Sequence, residues 1–577
     1  MPGPENDQLI RVDMTDQTVS VEPYPEKWQL LGGRALSARI LLTECDAACD
    51  PLGPDNVLVM APGLLGGSSA PTSGRISFGA KSPLTGGIKE SNSGGNPAQQ
   101  LMKLGYRAIV VTGQPSDPEG RWGLEVTASG AKLVPADEFR AMWNYAMCEQ
   151  LADRHAKTSS FIAIGPAGEL RLTGASIATT DADNRFPSRH AGRGGLGAVM
   201  GSKGLKYVAV TPGSARVRKA AAADDFRAFN RNISARYRNG PRMYQGGTSA
   251  FVGVANALNT FAHKNRTEGQ SPDVENLSGA RIMESFATRG GKMHACQTGC
   301  VVQCSNIVHD TDGNYKTSGL EFETLTLLGS NIAMDSWEHV AELDRLCDDV
   351  GLDTIETGAA IGVLMDAGRA EWGDVEEVKR IIRDEIAEGT ELGRIVGNGA
   401  VSVGRAFEHA RVPAVKGQSL PAWDPRPLKV IGVTYASSAM GADHTAGMST
   451  DTTLQEEDFA QVSQELQITN SVVDSSGFCS FLSPTLDDVR EAYGLLYGID
   501  VSREEIADLG WQCLQDEWAF NEGAGFTVQD DDLPACLREE GIGPDHSMKF
   551  DVSLETIAEV KVRMAPSEGM FTGGVVV

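Results

Sequence analysis

No stretch of the 577-residue sequence approaches the roughly 18 consecutive apolar residues that a membrane span requires, so a membrane protein is excluded. Basic residues are in deficit too. Lys and Arg number 51 against 77 Asp and Glu, for a net charge of −26. Polyanions bind through clustered Lys and Arg, so nucleic acid and anionic lipid are not expected partners. Such acidity serves solubility first, and it leaves open the docking of a small electron carrier through a local patch. Cysteine is also sparse: ten residues, at 45, 49, 148, 296, 300, 304, 347, 479, 513 and 536, do not make a disulfide scaffold at this length. The opening MPGPENDQLIRVDM has neither a basic start nor an apolar stretch, so no secretory signal is expected and a cytoplasmic location is inferred.

What is present is a long chain rich in glycine. Single cores stop growing at about 250–300 residues, so two or three domains are expected. Glycine makes up 65 of 577 residues, well above its usual share. Up to residue 212, short runs of β-type residues end in Gly- or Pro-containing turns: VLVMAPG (57–63), AIVVTGQ (108–114), FIAIGPAG (161–168) and YVAVTPG (207–213). Two long loops are expected between them, Gly63–Gly95 and Thr179–Gly204. Beyond Pro212 the pattern turns helical. In DVEEVKRIIRDEI, residues Val375, Val378, Ile381, Ile382 and Ile386 fall on one face. Gly351 is expected to end one helix, with Asp353/Glu356 and Ser502/Glu505 as capping boxes for two others. The proline-rich segment 413–427 marks a boundary between two helical parts. The fold class is therefore α+β: a β-rich domain over 1–212, then mainly helical domains over 213–420 and 421–577.

Three cysteines crowd into nine residues, HACQTGCVVQCSN, with Cys296, Cys300 and Cys304 spaced by four. On successive helical turns or in a tight loop this spacing brings three thiolates to one side. Iron–sulfur clusters need four thiolates, often three close together and one distant. Cys479, after a Gly-containing turn in DSSGFC, is the candidate for the fourth. Buried cysteines on a helix stripe and a structural zinc are the alternatives; zinc sites favour close pairs such as C-x₂-C, which are absent here. The other motif, GRGGLG at 192–197, matches a dinucleotide loop in letters only. It lacks the preceding strand, the long following helix and the acidic residue beyond, and the stretch near Arg216–Lys219 is basic. Its glycines, with Arg193 and Lys203, can still bring backbone N–H groups and positive charge to an anionic group. The segment from Arg75 through Lys81, Asn92, Ser93 and Gly94 to Gly95 offers a second such loop.

Taken in order, GGRAL (32–36), the Arg75–Gly95 loop, AGRGGLGAVMGSKGLK (191–206), LEFETLTLLGSN (320–331), DDVGLD (348–353), MGADHTAG (440–447) and DSSGFC (474–479) resemble the tungsten-containing aldehyde:ferredoxin oxidoreductase family over nearly the whole chain. The resemblance implies a tungsten (or molybdenum) bis-pterin cofactor with Mg²⁺ bridging the pterin phosphates. Arg75, Asn92, Ser93, Gly94, Ala191, Gly192, Arg193, Gly194 and Gly195 would bind it. Asp348, Asp353 and Asp474 would accept hydrogen bonds from the pterin rings, a task that suits an ionised carboxylate. Cys479 would join Cys296, Cys300 and Cys304 on one 4Fe–4S cluster. Two departures are visible. The close cysteines read C-x₃-C-x₃-C where the family usually has C-x₂-C-x₃-C, and no E-x-x-H is present, the motif with which some relatives bind an iron between subunits. A homodimer is one expected state.

The implied reaction oxidises an aldehyde with water to a carboxylic acid and passes electrons to ferredoxin or a ferredoxin-like subunit. It needs a donor for the carbonyl and a base for water. His444 is the candidate donor and Glu323 the candidate base, with Glu321 the next carboxylate. A related reductive enzyme acting on an aromatic acyl-CoA would run the same fold in the opposite direction. A plain iron–sulfur electron carrier and a nicotinamide dehydrogenase fit the loops less well.

Overall fold

The computed structural model describes residues 7–240 and 246–574; the opening segment read above for a leader lies partly outside them, at residues 1–6. The first two hundred residues build two six-stranded sheets. Strands β1 (Gln8–Asp13), β2 (Thr18–Pro23), β3 (Leu58–Pro62), β4 (Ile76–Lys81), β5 (Ile88–Ser93) and β6 (Tyr106–Thr112) form one, in the order β2-β1-β6-β3-β4-β5. Strands β7 (Trp122–Thr127), β8 (Gly130–Pro135), β9 (Ser160–Ala163), β10 (Ile177–Thr179), β11 (Arg189–Ala191) and β12 (Leu205–Val210) form the other, in the order β11-β10-β9-β12-β7-β8. All four runs read as strands lie in β3, β6, β9 and β12. Their inward residues, among them Met60, Ile109, Ile162 and Val208, share one core. Each such side chain contributes about 1.5–3 kcal/mol when fully buried.

Both expected loops contain more structure than the sequence suggested. Residues 63–95 include the antiparallel hairpin of β4 and β5, and residues 179–204 include β11 and a short helix, Leu196–Ser202, so a three-residue strand does precede GRGGLG, contrary to expectation, while the helix after it is short as expected. Glycines and serines lower strand propensity, but the tertiary environment overrides it: all six residues of β4 are buried. This matters for the site, because β5 and β11 are the end strands of their sheets and meet each other. The hydroxyls of Ser93 and Thr179 lie 2.9 Å apart, and the Thr179 hydroxyl also donates to the Gly94 carbonyl at 3.0 Å.

Helices supply the remaining walls: α1 (Gly33–Glu44), α2 (Phe322–Leu327), α3 (Trp337–Val350), α4 (Thr354–Asp366), α5 (Lys429–Ser437), α6 (Glu456–Ser476) and α7 (Arg503–Gly523). Gly351 ends α3 in the left-handed conformation at φ 83°, and Ser502 with Glu505 opens α7 as a capping box. The α4 start differs from expectation. Asp353 caps it by accepting from the Ile355 N–H at 2.9 Å, but Glu356 does not close the box. It turns inward instead, accepting from the backbone N–H groups of Ala400 and Ser419 at 3.0 Å each. The amphipathic run after Asp374 is helical over Val375–Arg380 and widens to a π turn over Ile381–Ile386; four of its five expected face residues are buried and Val375 is partly so.

Residues on either side of the proline-rich segment share a core. Phe322 and Leu325 share that core with Tyr435 beyond the segment and with Trp423 inside it, and the Phe322 and Trp423 rings lie 4.8 Å apart. The segment itself carries a two-stranded hairpin, Ala414–Val415 with Gln418–Ser419. A three-stranded sheet of β13 (Lys292–His294), β14 (Ser305–His309) and β15 (Tyr315–Ser318) holds the clustered cysteines in the loop between its first two strands, so a loop rather than successive helical turns brings them together. No described helix is long and apolar enough to cross a membrane.

Candidate active site

The end strands β5 and β11, the cysteine loop and the helical region enclose a cavity of about 330 Å³. Its wall carries Arg75, Asn92, Ser93, Gly94, Gly192, Arg193, Cys296, Cys304, Glu323, Asp348, Asp353, His444, Asp474 and Cys479. Four candidates lie off it. Ala191 points into the sheet core, and Cys300 sits beside Cys296, within its hydrogen-bonding reach. At Gly194 and Gly195, φ values of +82° and +73° favour glycine. A Cβ on Gly194 would come within 2.4 Å of the Lys89 side chain, and one on Gly195 within 2.5 Å of the Thr173 carbonyl oxygen. The clearance at these two glycines is therefore taken up by the protein itself.

Cys296, Cys300, Cys304 and Cys479 are all buried free thiols. Gly94 lets the first approach the strand end, since a Cβ there would stand 3.2 Å from the Cys296 sulfur. Cys304 and Cys479 are pushed up from the usual thiol range by burial, and Arg75 works against this at Cys479, its Nη1 lying 4.0 Å from that sulfur. Arg75 is itself anchored on Asn92, through a side-chain contact and a 3.3 Å bond to the carbonyl oxygen. Among the described residues, no three Cys, His, Asp or Glu side chains converge on one ion-sized point.

Glu323 stands on the first turn of α2, and its Oε2 accepts from the Ala422 N–H at 2.6 Å. Its Oε1 faces His444 Nε2 at 3.8 Å, too far for a hydrogen bond but close enough for one small group to reach both. His444 belongs to a turn that Asp443 caps by accepting from the Thr445 N–H and hydroxyl at 3.0 and 2.8 Å. Asp443 is paired with the fully buried Lys89. Burial alone would raise the Asp443 carboxyl; Lys89, then Arg193 and His444, more than offset this and hold it well below the usual range. Lys89 and Asp443 are 354 residues apart, so neither local pattern nor spacing signals the pair.

The Asp candidates differ in what they already hold. Asp348 lies 3.1 Å from His190 Nε2 and 3.4 Å from the Tyr145 hydroxyl. Asp474 faces Arg34 at 3.5 Å, and Arg34 is held by Glu517 through two bonds of 2.8 and 3.0 Å. Asp353 caps α4 with one oxygen and leaves Oδ2 buried without a hydrogen bond, facing Arg193 Nε across 3.6 Å. Also buried and without a hydrogen bond on the cavity wall are Glu90 Oε1, Ser188 Oγ, Arg189 Nε, Arg193 Nε, His444 Nδ1 (3.9 Å from Asp443) and Asn470 Oδ1. Such atoms cost about 1–3 kcal/mol each unless something bonds them, so the wall suits a ligand with many polar atoms of both kinds. Sequence reasoning did not assign Arg34, Lys89, Glu90, Arg189, Asp443 or Asn470, although GGRAL and GADHTAG contain two of them.

Residues 9–212 match the aldehyde ferredoxin oxidoreductase N-terminal domain, and residues 227–560 match domains 2 and 3 of the same family. The chain belongs to the aldehyde ferredoxin oxidoreductase family. Within it, the tungsten-containing aldehyde ferredoxin oxidoreductases of Pyrococcus furiosus and Thermococcus kodakarensis are each 31% identical over 574 residues, which covers 92% of this chain and 91% of the relative. A P. furiosus aliphatic sulfonate oxidoreductase, WOR-like subunit, is 24% identical over 87% of this chain and 83% of its own. In fold, the chain is similar to the active-site complex BamBC of benzoyl coenzyme A reductase in complex with 1,5-dienoyl-CoA, with a TM-score of 0.81 at 17% identity over 96% of this chain and 93% of the other. Like the named relatives of the family, the protein is an oxidoreductase.

Proposed function

We propose that the cavity holds a tungsten or molybdenum bis-pterin group, with Mg²⁺ between the pterin phosphates, beside a 4Fe–4S cluster on Cys296, Cys300, Cys304 and Cys479. In this reading the enzyme oxidises an aldehyde with water to a carboxylic acid, and ferredoxin takes the electrons. The observation that carries it is the meeting, on one cavity wall of a chain of this family, of Cys296, Cys304 and Cys479, the polar atoms without hydrogen bonds and the His444–Glu323 pair. Asp353 Oδ2 and Arg193 Nε, which face each other at 3.6 Å without a hydrogen bond, would hold pterin donors and acceptors, and Arg75, Asn92 and Gly94 would line the cluster side. When bound, the metal pterin supplies a two-electron acceptor and the cluster a one-electron relay.

The chain's own residues do the rest. Aldehyde and water become carboxylate and three protons as two electrons leave, so protons must be managed where the carbon–oxygen bond forms. A carbonyl oxygen gains negative charge as water adds, and a ring N–H of His444 would donate to it. Glu323 Oε1 takes the water proton, with the Ala422 N–H holding the other oxygen in place. Phe251, Phe322, Trp423 and Met448 on the same wall give an organic chain an apolar seat and exclude bulk water. The test is aldehyde-dependent reduction of a low-potential dye under anaerobic conditions. His444→Ala and Glu323→Gln should each lower the rate about 10²–10⁴-fold with metal and iron retained. Wild-type turnover in either variant removes that residue's role. Reduction of an acyl-CoA by a wild type inactive on aldehydes replaces the proposed direction.

A further inference from the structure

A second recess, of about 390 Å³, opens on the outer side of the cysteine loop. The loop separates the two cavities: Cys296 and Cys304 line the inner one, while Thr298, exposed between Cys296 and Cys300, lines the outer. Thr298 is fixed there by a 2.7 Å hydrogen bond from its hydroxyl to Asn96. Three cations, Lys103, Lys157 and Arg185, stand around the recess. Among the described residues none of them has a carboxylate partner; Arg185 makes only a 3.4 Å bond to the Ala152 carbonyl. The one carboxylate on the wall, Asp183, faces His294 at 3.6 Å. Another side of the recess is the segment Pro212–Ala215, which runs into Arg216 and Lys219, the basic stretch that no dinucleotide site explains. Both are exposed, and no carboxylate pairs with either among the described residues.

In a chain of net charge −26, a group of unpaired cations is against the trend, and it lies on the outer side of the cysteine loop. On and beside the recess five cations, Lys103, Lys157, Arg185, Arg216 and Lys219, stand against one carboxylate, Asp183. Fields of this kind steer oppositely charged proteins and set encounter rate more than contact energy. Resting on the cluster assignment above, we propose that this recess docks an acidic one-electron carrier protein, whose carboxylates meet Lys103, Lys157 and Arg185 while its redox centre faces Thr298. One electron then passes per encounter from the reduced cluster to the oxidised carrier, which leaves reduced by one electron; two carriers serve one aldehyde.

The test uses holoenzyme and an acidic plant-type [2Fe–2S] ferredoxin, with binding measured by calorimetry between about 50 and about 300 mM salt, a range over which exposed charges become screened. Wild-type affinity should fall steeply with salt. Lys103→Glu/Lys157→Glu should bind about 10-fold more weakly at low salt and lose most of the salt dependence. Lys157→Glu alone, at an exposed position, should shift affinity the same way by a smaller factor and guards against misfolding of the double variant. Aldehyde-dependent dye reduction should stay unchanged in both. Unchanged affinity and salt slope in folded variants, or no binding of ferredoxin by the wild type, overturns the docking site. Salt-sensitive binding lost in the variants, with a wild type that does not oxidise aldehydes, upholds the site while the reaction assignment fails.

Discussion

Replacing Lys89 by Met isolates the contact on which the His444 turn depends. Lys89 is 0% exposed and its partner Asp443 is 2% exposed, so the substitution leaves a carboxylate buried with its closest cation gone. Breaking a buried pair from one side costs about 3–5 kcal/mol. Arg193 also lowers the Asp443 carboxyl, so the lower end, about 3 kcal/mol, applies here. In a domain of about 200 residues that is a fall in thermal midpoint of roughly 6–12 °C. The loss has a pH signature. A carboxyl whose folded pKa is depressed contributes stability above its unfolded value, near 4, and loses it as pH falls through the folded value. The cost of Lys89→Met should therefore be full at neutral pH and shrink below about pH 4. Adding Asp443→Asn should restore most of the midpoint, because a neutral pair needs no counter-charge. The assay is thermal unfolding of the single and double variants across pH. Equal midpoints for wild type and Lys89→Met, or a double variant no better than the single, would refute the reasoning.

Two further outcomes follow from the site. Cys479→Ala should lose iron and acid-labile sulfide together, since a 4Fe–4S cluster needs four thiolates; unchanged iron and spectrum would remove Cys479 from the ligands. Burial raises Glu90 to about 7 and Asp474 to about 6, each also raised by its neighbours' negative charge. Groups with raised folded pKa support the fold below their unfolded value and weaken it as pH rises through the folded one. The cofactor-free wild type should thus lose stability relative to Glu90→Gln between about pH 4 and pH 7, as read by denaturation midpoints; a flat difference would contradict the burial of a charged Glu90.

Local patterns carried much of this molecule. The four β-branched runs became strands because their residues fill one core, and the Ser502–Glu505 box and Gly351 stop are set by neighbours in sequence. What escaped was decided at long range. The β4–β5 hairpin holds glycines and serines that read as loop, and pairing with β3 makes it sheet. Glu356 has the spacing of a capping partner, yet the N–H groups of Ala400 and Ser419 draw it inward. Gly194 suggests room for a ligand, but that room is filled by Lys89. His444 and Glu323 stand in separate motifs, and only the fold brings them within 3.8 Å. Arg34–Glu517 and Lys89–Asp443 join residues hundreds apart and leave no trace in any short window.

The central claim is that this cavity holds a metal pterin next to an iron–sulfur cluster. Elemental analysis of the anaerobically purified chain tests it most directly. The account predicts one tungsten or molybdenum and about four irons per chain, with matching acid-labile sulfide. A folded protein containing zinc, or iron without tungsten or molybdenum, would contradict it.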